Sequence, residues 1–137
     1  MRIILNTEYR IRHTQRMQIQ RLKGRKATDY LRRRGNVWKG KTMVVVWLPG
    51  HPWNVDADRS MRSIYVSATA SSKLHKSAVK RNRMRRRCRE AFRTIIKDHE
   101  KLPTVQLLIS PRSSSLDCVF GDIQADVHRF LSVITHG

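Results

Sequence analysis

Residues 78–93, AVKRNRMRRRCREAFR, place eight basic side chains and one acid within sixteen positions. Across 78–97 the apolar residues recur at i, i+4, i+7, i+8, i+11 and i+12, which is the spacing of an amphipathic helix. This apolar stripe consists of Met84, Cys88, Ala91, Phe92, Ile95 and Ile96. Ser77 precedes the run and is suited to cap the first turn. The pattern predicts a helix that packs through one side and exposes its cations on the other.

The concentration of cations on the exposed side of this helix needs a physical reason, because arginine pairs at i, i+4 repel by ~0.2–0.5 kcal/mol each. A nucleic-acid backbone supplies one, since its phosphates remove the repulsion and release condensed counterions. Seven of the eight cations are arginines, whose planar guanidinium binds phosphate through two parallel hydrogen bonds. Asn82, a weak helix former among cations, favours a directed hydrogen bond to a base, sugar or phosphate. A solvated charged face is the alternative interpretation.

The net charge of +19 is concentrated in two blocks of the 137-residue chain. Residues 1–41 hold 13 basic and 2 acidic side chains, residues 73–97 hold 11 and 1, and the rest is nearly neutral. This distribution predicts one domain with a polyanionic partner, nucleic acid first and an anionic membrane surface second. No stretch approaches the roughly 18 apolar residues of a membrane span. With two cysteines and no CxxC pair, we expect a reduced, cytoplasmic protein.

The chain order predicts an α/β domain. Residues 1–22 are interpreted as a basic extension, disordered or partly helical without RNA, and 23–137 as a single domain. KATDYLRRRG predicts a first helix that ends at Gly35, and PGHPWNVDADRS predicts a loop. Strands are expected at 41–48, 63–70 and 104–110, and an amphipathic helix closes the chain from Phe120 to Ile134.

Aromatic rings near cations are candidate platforms for single-stranded nucleic acid. Tyr30 lies among cations in the first helix, and Tyr65 lies on the less apolar face of its strand with Ser67 and Thr69. Tyr65 could contact RNA or pack under the first helix, whereas Trp47 is expected to pack. Trp38 is left unassigned.

Residues for protein-based catalysis are not predicted. The acids of the last 40 residues, Asp126 among them, mostly follow a surface-helix pattern, and turn chemistry accounts for Asp56 and Asp58. We therefore expect no catalytic residue and no metal ligand in this chain.

The stretch SSKLHKSAVKRNRMRRRCREAFR, residues 71–93, resembles the signature of the bacterial ribonuclease P protein subunit. The similarity covers roughly residues 22–135 and is strongest in the Arg-Asn-Arg helix. Leu74, Lys76 and Tyr30 depart from the family pattern. The matching positions are Ser72, Lys73, Ala78, Val79, Arg81, Asn82, Arg83, Arg86, Arg89, Glu90, Ala91, Phe92 and Arg93.

The resemblance implies a two-layer α/β (α+β) sandwich of order helix-β-β-β-helix-β-helix, with the basic helix in a left-handed crossover. It also implies that the ribonuclease P catalytic RNA, with Mg²⁺ held chiefly by that RNA, removes the 5′ leader of precursor tRNA. No membrane and no obligate protein partner are expected.

The protein's part, on this resemblance, is to bind the two RNAs. The residues expected to bind the catalytic RNA are Lys73, Lys76, Lys80, Arg81, Asn82, Arg83, Arg86, Arg87, Arg89 and Arg93. The 5′ leader would follow a cleft between the first helix and the sheet, lined by Tyr30, Arg33, Tyr65, Ser67 and Thr69. Two alternatives remain open: a ribosomal or ribosome-assembly protein that binds structured RNA, and a DNA-binding protein.

Overall fold

A computed structural model describes residues 17–53, 62–99 and 101–136. The strands are β1 (Gln18–Arg21), β2 (Asn36–Lys39), β3 (Met43–Pro49), β4 (Ser63–Ala68) and β5 (Val105–Pro111). The helices are α1 (Arg25–Arg34), α2 (Ala78–Ile96) and α3 (Phe120–His136), with a 3₁₀ turn at Ser113–Leu116. The predicted mixed α/β order of helix, three strands, helix, strand and helix is confirmed, and β1 precedes it.

The five strands form one sheet in the order β1-β4-β5-β3-β2. β4 is parallel to both β1 and β5, whereas β3 is antiparallel to β5 and β2. Helix α2 therefore connects two adjacent parallel strands, which is the crossover position that the resemblance implies.

Helices cover both faces of the sheet, and alternate residues of β4 therefore belong to two different apolar clusters. Ile64 and Val66 of β4 belong to the main core with residues of α2 and α3. Tyr65, between them, belongs to a smaller cluster with Leu31 of α1. Helices α2 and α3 therefore pack on one face of the sheet, and α1 packs on the opposite face.

The apolar stripe of α2 is confirmed at every position, since all six of its residues are buried. The Ser77 cap is also confirmed: its side-chain oxygen accepts a hydrogen bond from the Lys80 backbone N–H at 3.3 Å. Trp47 packs against the core as expected, and Trp38 joins it there, with edge-on contacts from both indoles to Phe130.

The interpretation of residues 1–22 as an extension is wrong at its C-terminal end. Residues 18–21 form β1, which pairs in register with Ser63–Val66 of β4. Leu22 is buried beneath α1, and its N–H donates to the Val66 carbonyl at 3.0 Å. Residues 1–16 lie outside the described part of the chain, as do Asp56 and Asp58.

Asp126 is also misplaced by the sequence pattern, because its side chain is fully buried rather than on the helix surface. Its carboxylate accepts hydrogen bonds from the Thr42 backbone N–H at 2.7 Å and from the Thr42 hydroxyl at 2.6 Å. Arg129 approaches the other oxygen at 2.5 Å. Burial acts to raise the Asp126 pKa, but these hydrogen bonds outweigh it and hold the pKa below its ordinary value. The carboxylate thereby fixes α3 to the turn between β2 and β3.

Candidate nucleic-acid interface

The loop that leads into α2 is held by the helix itself. Arg81 donates from Nη1 to the carbonyl oxygens of His75 at 2.8 Å and Lys76 at 3.1 Å. The Ser77 N–H donates to Nδ1 of His75 at 3.0 Å. Arg81 therefore has an internal role besides its charge, because it fixes the loop that carries the exposed Lys76.

The solvent side of α2 and its lead-in carry most of the predicted RNA-binding set. The exposed members are Lys73, Lys76, Lys80, Asn82, Arg83, Arg86, Arg89 and Arg93. We call these eight residues the α2 basic face. Within the described residues, Arg83, Arg86 and Arg89 form no ion pair or hydrogen bond through their side chains. Their guanidinium donors are thus open to an external anion.

Two members of this face have partners within the helix. Arg93 forms a bidentate pair with Glu90, with Nη2 at 2.5 Å from Oε1 and Nε at 3.2 Å from Oε2. This hydrogen-bonded pair lowers the pKa of Glu90 and raises that of Arg93. The Asn82 carbonyl oxygen accepts a hydrogen bond from Arg85. The Asn82 amide N–H groups are left for the directed contact that the sequence predicts.

Arg87 is a correction to the predicted RNA-binding set, because its guanidinium points into the protein. Nη1 donates to the carbonyl oxygens of Ser115 at 2.6 Å and Leu116 at 3.0 Å, and Nη2 donates to that of Cys118 at 2.6 Å. These carbonyls belong to the end of the 3₁₀ turn and the chain that enters α3. Arg87 thus ties α2 to the start of α3.

Tyr65 is a second correction, since its side chain is only 1% exposed. It packs with Leu31 and Ala27 of α1, and its hydroxyl lies 2.8 Å from Nδ1 of His51. Side chains therefore fill the space between α1 and the sheet around Tyr65, and a pocket of about 270 Å³ remains beside it, lined by Ala27 and Tyr30 of α1 and by Leu48 and Gln106 of the sheet. The ring of Tyr65 has no face available to a base.

The other predicted cleft residues fall on two sides of the molecule. Tyr30, 43% exposed, and Arg33 line an open groove of about 700 Å³ together with Lys26, Arg32 and Trp53. We call this the α1 groove. Ser67 lines a different groove, beside α2, and the Thr69 backbone N–H donates to the Ile109 carbonyl at 2.9 Å. The structure does not bring these residues into one cleft.

Trp53 was missed by the sequence analysis. It is 62% exposed and lies beside Tyr30 in the α1 groove, so that two rings and several cations share one surface. It follows directly on Pro52 in a segment rich in turn residues, and no periodic pattern marks it. Only the position of Trp53 next to α1 marks it as a candidate RNA-binding residue, and that position is visible only in the folded chain.

The Cys88 thiol of α2 is a buried core group. Burial, opposed by a hydrogen bond with Ser115, raises the pKa of the Cys88 thiol to about 12, so it is protonated at neutral pH.

Across residues 17–53, 62–99 and 101–136, no group of three His, Cys, Asp or Glu side chains is placed to hold a metal ion. None of the described helices is long and apolar enough to cross a bilayer.

A mixed α/β domain that exposes the unpaired guanidinium groups of Arg83, Arg86 and Arg89 on one helix has the electrostatic surface of a nucleic-acid-binding protein. The ribonuclease P family model matches residues 17–135. The chain belongs to the ribonuclease P family, and its role is that of the protein subunit, which binds RNA in tRNA processing. No curated protein matches the sequence of this chain significantly.

Solved structures have the same fold. The RNase P protein of Staphylococcus aureus is 20% identical, with a TM-score of 0.62 over 82% of this chain and 93% of that one. The RNase P protein of Thermotoga maritima is 18% identical, with a TM-score of 0.64 over 84% of this chain and 97% of that one. At this identity the likeness concerns the backbone and not individual side chains.

Proposed function

We propose that the α2 basic face is where this subunit holds the catalytic RNA of ribonuclease P. The observation that carries the proposal is the contrast within one helix: Arg83, Arg86 and Arg89 are exposed and unpaired among the described residues, whereas Arg87 is used internally. A helix that bonds one guanidinium to the protein's own backbone and leaves the neighbouring guanidinium groups open is suited to bind a line of phosphates.

In this proposal the RNA subunit carries the chemistry, with Mg²⁺ held chiefly by the RNA. The protein's arginines lower the phosphate repulsion within the assembled particle, so that less Mg²⁺ is needed for the same fold. The substrate is precursor tRNA, whose 5′ leader is removed, and the place of action is the cytoplasm. The family resemblance supports this division of labour.

The leader is proposed to follow the α1 groove rather than the part of the space beneath α1 that Tyr65 and Leu31 fill. Tyr30 and Trp53 offer exposed rings for stacking on unpaired bases, and Lys26 and Arg33 supply cations for the leader's phosphates. Tyr30 and Arg33 keep their predicted role on this path. Tyr65, Ser67 and Thr69 do not lie in it.

The test is a single-turnover cleavage assay with the catalytic RNA of the source organism and a precursor tRNA. At low Mg²⁺ the purified chain should raise the cleavage rate, and at high Mg²⁺ the gain should shrink. Arg86→Ala should raise the Mg²⁺ requirement. Arg112→Ala, an exposed arginine outside the α2 basic face, is the matched control and should not. Absence of any stimulation by the wild-type chain would reject the proposal.

A further inference from the structure

A second groove, separate from the α1 groove, lies between the sheet edge and α2. Arg89, Phe92 and Arg93 of α2 form one wall, and Ile19 and Arg21 of β1 form the other. Residues Val66, Ser67 and Ala68 of β4 lie between them, and the groove encloses about 230 Å³. We call this the β1–α2 groove. It exists because residues 18–21 pair with β4 instead of forming a free extension.

We infer that the β1–α2 groove receives one unpaired nucleotide of a folded RNA whose backbone lies on the α2 basic face. The inference rests on the proposed function and adds a subsite to it. Three features of the groove support it: an apolar floor, cations at the rim and a small volume.

The floor is apolar and the rim is cationic. Ile19 and Ala68 are half-buried, so a base that enters displaces water from their apolar surface, and the buried residues Phe92 and Val66 close the bottom of the groove. Arg21 and Arg89 are exposed and have no ion pair within the described chain, whereas Arg93 is already paired with Glu90. A planar guanidinium both stacks on a base and binds the adjoining phosphate.

The volume of the groove suits one base. Sites for drug-sized molecules enclose roughly 300–1,000 Å³, and this groove is smaller. A run of stacked bases or a base pair would need more room. A base bulged from a helical stem has no pairing partner and can turn out of the stack, while the backbone continues on both sides of it. Such a base would enter the groove while the backbone on either side meets the α2 basic face.

The experiment compares two RNA hairpins that bind the full-length chain. One has a fully paired stem, and the other carries a single bulged adenosine in the same stem. The wild-type chain should bind the bulged hairpin about 5- to 150-fold more tightly, which corresponds to the stacking of one base. Fluorescence anisotropy at several salt concentrations gives both affinities and their salt slopes.

Two variants address the groove by different means. Ala68→Leu fills it without changing charge, and should abolish the preference for the bulge while leaving the affinity for the paired stem. Ala70→Leu, at a half-buried position just beyond β4 and outside the groove, is the matched control and should keep the preference. Arg89→Lys preserves the positive charge at an exposed site and removes the planar group. It should reduce the preference with little change in salt slope.

The outcomes separate the inference from the proposed function. Equal affinity of the wild-type chain for both hairpins, or a bulge preference that survives both Ala68→Leu and Arg89→Lys, overturns the nucleotide subsite and leaves RNA binding by α2 intact. Failure to bind either hairpin at low salt instead counts against the proposed function. Thermal unfolding of each variant identifies one that has lost the fold, and Arg89→Lys then decides the result.

Discussion

Replacement of Arg87 by methionine tests whether this arginine is structural in a helix of otherwise exposed cations. Methionine keeps an unbranched apolar stem like that of arginine and removes every donor. Three carbonyl oxygens, those of Ser115, Leu116 and Cys118, lose their guanidinium partner. A hydrogen bond that involves a charged group contributes ~1.5–3 kcal/mol. Because the site is only partly buried and water can replace some of the bonds, we expect a total loss of about 2–4 kcal/mol.

The matched variant is Arg83→Met, four residues earlier on the exposed side of α2. For a domain of this size the Arg87→Met loss should lower Tm by roughly 6–15 °C, whereas Arg83→Met should change stability by no more than about 0.5 kcal/mol. RNA binding should show the reverse order. Removal of one phosphate contact at Arg83 should reduce the salt slope by about 0.9, and Arg87→Met should leave that slope unchanged. Equal Tm values for the two variants, with a reduced slope for Arg87→Met, would refute the assignment.

Three further predictions concern the core, the buried carboxylate and the α1 groove. Phe92→Ala should destabilise the fold by about 3–5 kcal/mol, measured by urea unfolding; a loss under 1 kcal/mol would show that the apolar stripe of α2 is not core. Asp126 has a folded-state pKa below its unfolded value, so its contribution is complete above the unfolded pKa and is lost as pH falls through the folded one. Between pH 6 and pH 3 the wild-type chain should therefore lose more stability than Asp126→Asn, and parallel pH profiles would contradict this. Trp53→Ala and Tyr30→Ala should each weaken binding of a single-stranded leader oligonucleotide by ~1–3 kcal/mol; Val37→Ala, at an exposed residue outside the α1 groove, serves as control.

The basic helix was predictable because its pattern is local. Six apolar residues at helical spacing fix which side of α2 packs, and the exposure of Arg83, Arg86 and Arg89 follows from the same wheel. Arg87 was not predictable in this way. Its three acceptors are backbone carbonyls 28–31 residues further along the chain. Every residue has a backbone carbonyl, so no residue type in the sequence identifies these acceptors.

The errors at Tyr65 and β1 have a common physical origin in long-range packing. Strand alternation correctly separates Tyr65 from Ile64 and Val66, but the second face of the sheet is covered by α1 and becomes a core of its own. β1 is a short edge strand in which Ile19 is the one apolar residue, and it is stabilised by pairing with a strand more than 40 positions away. Propensity alone therefore gave no strand there.

Arginine-specific labelling by phenylglyoxal, read residue by residue by mass spectrometry, tests the central claim most directly. In the free chain Arg83, Arg86, Arg89 and Arg112 should all react, and Arg87 should react slowly because its donors are engaged. When the catalytic RNA is added, Arg83, Arg86 and Arg89 should become protected while Arg112 stays reactive. If the three α2 arginines react equally with and without the RNA, the α2 basic face is not where the RNA is held.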